Sequence, residues 1–166
     1  MTAGRVIRSF ATPGALGRGL AWDGRALWHV DTGTDLIYQI DPRTGRVIRS
    51  FATPAGLGRG LTWDGRALWH CDESDDLIYQ IDPRTGQVIR SFATPGGNGS
   101  GLTWGGGSLW QIDNGSDLIY QIDPLTGRLI RSFAAPGGAG YGLTWDGRSL
   151  WHADLTAALI YQIAVN

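Results

Sequence analysis

Apolar residues in this chain fall in short runs of four to six positions, and turn-forming Gly, Asp, Pro and Thr separate the runs. LIYQI stands at residues 36–40, 77–81, 118–122 and 159–163, and GLAW or GLTW at 19–22, 60–63, 101–104 and 142–145. ALWHV, ALWHC, SLWQI and SLWHA follow each GLxW after a few residues, and RVIRSF, QVIRSF or RLIRSF follows each of the first three LIYQI runs. Short runs rich in Ile, Val, Trp and Tyr, with no helical period and bounded by turn residues, predict β-strands. Strands expected to be buried on both faces read as apolar without strict alternation, as GLTW and ALWH do.

The punctuation predicts how the strands join. Asp23-Gly24, Asp64-Gly65, Gly105-Gly106 and Asp146-Gly147 suit two-residue hairpin turns between strands one and two. DPRTG at 41–45 suits a bulged hairpin between strands three and four, with Pro at the first turn position and Gly in the left-handed one. The unit repeats every 41 residues, at Gly4, Gly45, Gly86 and Gly127, and the first two copies differ at only seven positions. A four-stranded antiparallel unit repeated in tandem predicts an all-β propeller with four blades per chain. Residues 1–166 then form one propeller domain of repeats 4–44, 45–85, 86–126 and 127–166.

The last repeat lacks its fourth strand, whereas the chain opens with GRVIRSFATP, the missing piece. The expectation is ring closure, with the N-terminal strand completing the last blade: Arg5, Val6, Ile7 and Phe10 beside Leu159, Ile160, Tyr161 and Ile163. If each chain closes on itself the product is a four-bladed monomer, turning ~90° between blades; if two chains exchange strands it is an eight-bladed ring, turning ~45°. No helix or bulky rim strand fills wide wedges, so the homodimer is the expected assembly and the monomer the alternative.

Composition narrows the partners. Fourteen basic and fifteen acidic side chains leave a net charge of -1, which provides no basic face for a nucleic-acid backbone. Cys71 is the single cysteine, so no internal disulfide forms, and a small buried apolar role is expected of it. MTAGRVIRSF carries no signal-peptide core and no run reaches the length of a membrane span, so a soluble, cytoplasmic chain is expected.

The pattern GLTWDGRALWHCDESDDLIYQIDPRTG resembles the NHL and regucalcin-like propeller group, which includes virginiamycin B lyase and glutaminyl cyclase relatives. The resemblance rests on Gly60 to Gly65, Leu68 to Asp72 and Ile78 to Gly86, and extends over nearly the whole chain. It implies blade structure. Enzymes of that group resemble one another in gathering carboxylates, amides or a His around an axial divalent ion, and no such set maps onto this sequence.

The copies differ most between strands two and three (TGT, ESD, NGS, LTA) and between blades (ALGR, GLGR, GNGS, GAGY), which marks one face as the candidate binding face. Arg18, Arg59, Ser100 and Tyr141 occupy one equivalent position there, and an exposed Arg can clamp a carboxylate or phosphate. Asp31, Asp72, Asp113 and Asp154 end strand two; together with Asp35, Asp76 and Asp117 they would pair carboxylates four residues apart, although strand-end Asp more often caps its own loop. No catalytic residue and no metal ligand is assigned. No cofactor is expected; the acidic run Asp72 to Asp76 is the candidate for Ca²⁺ or another divalent ion, but lacks the oxygen spacing of a calcium loop. His29, His70 and His152, with Gln111 in the third copy, stand too far apart in a ring for chelation and are expected to pack between blades. The eight tryptophans read as core.

These observations lead to a non-catalytic binding or scaffold module for a glycan or peptide. The alternatives are a divalent-metal lyase or hydrolase, and an unspecialised or designed repeat without a ligand.

Overall fold

A computed structural model describes residues 6–138 and 140–165. Blade 1 comprises β1 (Gly17–Trp22), β2 (Leu27–Asp31), β3 (Leu36–Ile40) and β4 (Val47–Ala52). Blade 2 comprises β5 (Gly58–Trp63), β6 (Leu68–Asp72), β7 (Leu77–Ile81) and β8 (Val88–Ala93). Blade 3 comprises β9 (Gly99–Gly105), β10 (Ser108–Asp113), β11 (Leu118–Ile122) and β12 (Leu129–Ala134), and blade 4 comprises β13 (Gly140–Trp145), β14 (Leu150–Asp154) and β15 (Leu159–Ile163). Every sheet is an antiparallel meander in chain order, with four strands in blades 1 to 3 and three in blade 4. The chain carries four blades of an all-β propeller: β1 lies beside β5, β5 beside β9, and β9 beside β13, with the four inner strands bordering a cavity of about 180 Å³. Among the described residues no helix is long and apolar enough to cross a membrane.

The turns follow local chemistry. Strands one and two join through a four-residue loop rather than the expected two-residue turn, because Trp22 pairs with Leu27. The Asp23 carboxylate stabilises that loop by accepting the amides of Arg25 and Ala26 and the indole N–H of Trp28, each at 2.7 Å. Blade 3 has no Asp there; Gly105 pairs with Ser108, so the tight turn falls on Gly106 and Gly107, one residue later than the sequence suggested. At the other end of blades 1 to 3 the DPxTG turn closes with a register shift, and its glycine takes the left-handed conformation, φ +72° at Gly45 and +74° at Gly86. A side chain at that position would also strike the Phe of the preceding rim strand, Phe51 at Gly86 and Phe92 at Gly127.

The core lies between blades. Trp28, Val30 and Ile37 of blade 1 pack on Leu61, Leu68, Tyr79 and Ile81 of blade 2. The same positions meet in the next junction, Trp69, Cys71 and Ile78 against Leu102, Leu109, Tyr120 and Ile122. In the third, Trp110, Ile112 and Ile119 pack on Leu143, Trp145, Leu150 and Ile163. Gly19, Gly60 and Gly101 let the inner strands approach so closely that a Cβ at any of them would lie 2.7–2.9 Å from the next blade's backbone.

The junction from blade 4 back to blade 1 is different. A Cβ on Gly142 would meet only Ala153 of its own blade, at 3.4 Å. Ile160 is 73% exposed and Leu20 62%, whereas their counterparts Ile37, Ile78, Leu61 and Leu102 are buried. The expected closure by the chain's own N-terminus is not made among the described residues, where β15 pairs only with β14 and residues 6–10 form no strand. Arg5 lies outside the described residues. Val6 to Phe10 instead rests on blade 1 alone, where Phe10 sits over Gly45 and Arg8 donates to the carbonyls of Pro42 and Arg43, because the open junction keeps β15 from reaching it.

Candidate functional site at the axial mouth

Arg18, Arg59, Ser100 and Tyr141 are the second residues of β1, β5, β9 and β13, so the repeat delivers them to equivalent places around the axis. With Gly17, Ala153, Asp154 and Leu155 they line one cleft of about 710 Å³. Their chemistry differs in useful ways. Arg59 donates through Nε to Glu73 at 2.6 Å, and this ion pair neutralises it. Thr32 stands in blade 1 at the position equivalent to Glu73, and Arg18 makes no hydrogen bond or ion pair among the described residues. The Ser100 hydroxyl donates to the Gly140 carbonyl at 2.6 Å, while Tyr141 is 45% exposed.

Asp31, Asp72, Asp113 and Asp154 reach the same face as buried loop anchors. Asp31 accepts the Leu16 amide at 2.7 Å from the interblade loop, and the amides of Gly33 and Thr34, each at 3.0 Å, from the β2–β3 loop. Asp113 joins Asn98 to Gly115 and Ser116 in the same way, and Asp72 joins Leu57 to Ser74. Asp154 accepts from Gly138 and Ala157. Desolvation is the largest influence on Asp31 and Asp113 and opposes ionisation, but the converging amides and hydroxyls prevail and hold both carboxyls below the usual carboxylate range. Asp72 is lowered on the same balance, desolvation again opposed, here by the His70 imidazole 3.7 Å away and by hydrogen bonds from Ser74.

Asp35, Asp76 and Asp117 close these loops with φ of +53°, +56° and +54°, a left-handed conformation that Asp tolerates. Ala158 holds the same conformation in blade 4. Within the acidic run, Glu73 is held by Arg59 and Asp75 accepts from the Tyr79 hydroxyl. Among the described residues no group of three His, Cys, Asp or Glu is arranged to hold a metal ion.

The histidines hydrogen-bond within their own blades, while His70 and His152 lie on the faces packed against the preceding blade: a Cβ on Gly58 would meet both His70 and Val30, and one on Gly140 both His152 and Ile112. His29, His70 and His152 each pair Nδ1 with a glycine carbonyl of the neighbouring inner strand, at 3.0–3.3 Å, and stack on Tyr38, Tyr79 and Tyr161. Trp28, Trp69 and Trp110 are buried, but Trp22 is half exposed at the open face of blade 1. Cys71 is buried as expected, and burial pushes its thiol up to about 12.

Sequence reasoning did not pair Glu73 with Arg59 or place Leu155 beside Tyr141. The signal was present: the variable positions 18, 59, 100 and 141 each precede a second variable position by fourteen residues, giving Arg–Thr, Arg–Glu, Ser–Asn and Tyr–Leu.

Known proteins share the architecture. The chain superposes on glutaminyl cyclase from Myxococcus xanthus with a TM-score of 0.77 and 15% identity, covering 92% of this chain and 67% of that one. It also superposes on the computationally designed Ika4 protein (TM-score 0.69, 14% identity, 94% and 96% covered). A catalytically inactive virginiamycin B lyase from Staphylococcus aureus with quinupristin gives a TM-score of 0.67 at 20% identity, with 95% of this chain and 58% of that one covered. These likenesses show the fold alone. No curated protein matches the sequence. Residues 21–123, more than half of the chain and running from the end of β1 to just past β11, match the family described as a repeat of unknown function, DUF6923, and the chain belongs to that family.

Proposed function

We propose that the protein is a non-catalytic binding module whose axial mouth holds an acidic glycan through its carboxylate. The observation that carries this reading is the unneutralised Arg18 guanidinium in a cleft of about 710 Å³ whose lining is where the repeats diverge. A guanidinium takes a carboxylate through two parallel hydrogen bonds. The exposed Tyr141 ring and Leu155 side chain supply apolar surface for the face of a sugar ring. The volume lies within the ~300–1,000 Å³ of small-ligand sites. Buried Asp31, Asp72, Asp113 and Asp154 stiffen the surrounding loops, which lowers the ordering cost of binding.

Calorimetric titration with glucuronate-containing oligosaccharides tests the reading, with neutral oligosaccharides and acidic peptides as comparators. Binding should be selective for the acidic sugar and weaken with salt, and Arg18→Ala should raise Kd by ~10–100-fold, the value of a charge-assisted bidentate pair. Glu73→Ala, which frees Arg59, should tighten binding. Equal affinity for neutral sugars, or an unchanged Kd in Arg18→Ala, refutes it.

A further inference from the structure

We infer that two copies of the chain join head to tail into one eight-bladed ring, each copy's Val6 to Phe10 serving as the rim strand of its partner's fourth blade. The first ground is that the two open faces are halves of the interface already built three times inside the chain. Blade 4 exposes Ile160 at 73%, equivalent to Ile37, Ile78 and Ile119, which are all fully buried. Blade 1 exposes Leu20 at 62% and Trp22 at 51%, equivalent to the Leu61–Trp63 and Leu102–Trp104 pairs that receive the preceding blade. A front face from one copy therefore finds its complement on the back face of another.

The second ground is the placement of the N-terminal segment. Arg8 reaches the Arg43 carbonyl at 2.5 Å as Arg49 reaches that of Arg84 at 2.9 Å and Arg90 that of Leu125 at 3.0 Å. Phe10 covers Gly45 as Phe51 covers Gly86 and Phe92 covers Gly127. Val6 to Phe10 thus already stands where the rim strand of a blade preceding blade 1 would stand, without that blade's other three strands. β15, the strand it would pair, has a free edge at the far end of the chain.

The third ground is arithmetic. Three equivalent junctions of ~90° would bring blade 4 against blade 1 and form the fourth junction automatically. That junction is absent, so each turn is smaller, and the smallest ring of more than four blades that whole chains can build is eight, two chains turning ~45° per junction.

Light scattering of the full chain should give about 36 kDa, twice the 17.9 kDa chain mass. Ile160→Arg should halve that mass with unchanged far-UV circular dichroism, because the residue is exposed within one chain. The register Leu36↔Ala52 places Ala11 opposite Leu159 across the new junction. Ala11→Cys with Leu159→Cys, in a Cys71→Val background, should therefore oxidise to a covalent species of twice the chain mass. A wild-type mass of about 18 kDa, a larger assembly, or a disulfide formed within one chain would each overturn the proposal. Mass and cross-link are read without ligand, so the outcome stands apart from the glycan reading, whose Arg18 site the ring presents twice.

Discussion

The junction between blades 2 and 3 and the open pair of faces on blades 4 and 1 are made from nearly the same residues, yet one is a core and the other a surface. At the closed junction Ile78 is fully buried, Gly60 lies within van der Waals distance of Leu102, and the Thr62 hydroxyl accepts the Trp104 amide at 3.0 Å. At the open faces Ile160, Leu20 and Trp22 face solvent, and a Cβ on Gly142 would meet nothing from another blade. Identical side chains therefore have different energetic weight according to whether a partner surface stands opposite, and a difference between equivalent mutants measures the junction itself.

The largest contrast is expected from Ile78→Ala and Ile160→Ala. The first removes a fully buried side chain and should cost ~2–5 kcal/mol in chemical denaturation. The second should cost less than ~1 kcal/mol in a single chain and weaken assembly instead. Equal costs would break the comparison. Gly60→Val comes next: its Cβ would lie 2.7 Å from the Leu102 backbone nitrogen, and overpacking of this kind costs ~1–3 kcal/mol. Gly142→Val meets only Ala153, so it should leave chain stability near wild type while lowering the mass seen by light scattering.

Acid should act on blades 1 to 3 alike, and so separate loop anchoring from junction packing. Asp31, Asp72 and Asp113 have folded pKa values below the ordinary one. Their contribution is therefore complete above the unfolded value near ~4 and is lost as pH falls through the lower folded values. Calorimetry should show a melting temperature level from neutral pH down to about pH 5 and falling steeply below about pH 4. Hydrogen exchange in that range should loosen the β2–β3 loops of blades 1 to 3 together. The smallest effect is expected at Ala158, whose φ of +53° is unfavourable for an L side chain. Ala158→Gly should stabilise blade 4 by ~0.5–1 kcal/mol, and Gly substitution at Asp35 should gain less.

Much of the fold was legible because each strand carries its own signal. LIYQI, GLTW and the DPxTG turn specify strand, strand and bulged hairpin from local chemistry, and the 41-residue spacing orders them. The four-residue Asp-Gly-Arg-Ala loop was less legible, since its length depends on a carboxylate reaching an indole five residues away. The candidate site was half legible. Divergence among repeats located Arg18, Arg59, Ser100 and Tyr141, but Glu73 silencing Arg59, and not Arg18, required the two loops to be folded against each other.

The sequence by itself determined the blade, its four-strand order, its DPxTG turns and the count of units, because these follow from side-chain pattern and backbone preference over a few residues. Tertiary structure decided which junctions form, where Val6 to Phe10 rests and which arginine keeps its charge available. Those depend on the angle at which one blade meets the next. That angle is set by the packing of Gly19, Gly60 and Gly101 against a neighbour's backbone, a contact between residues some forty positions apart.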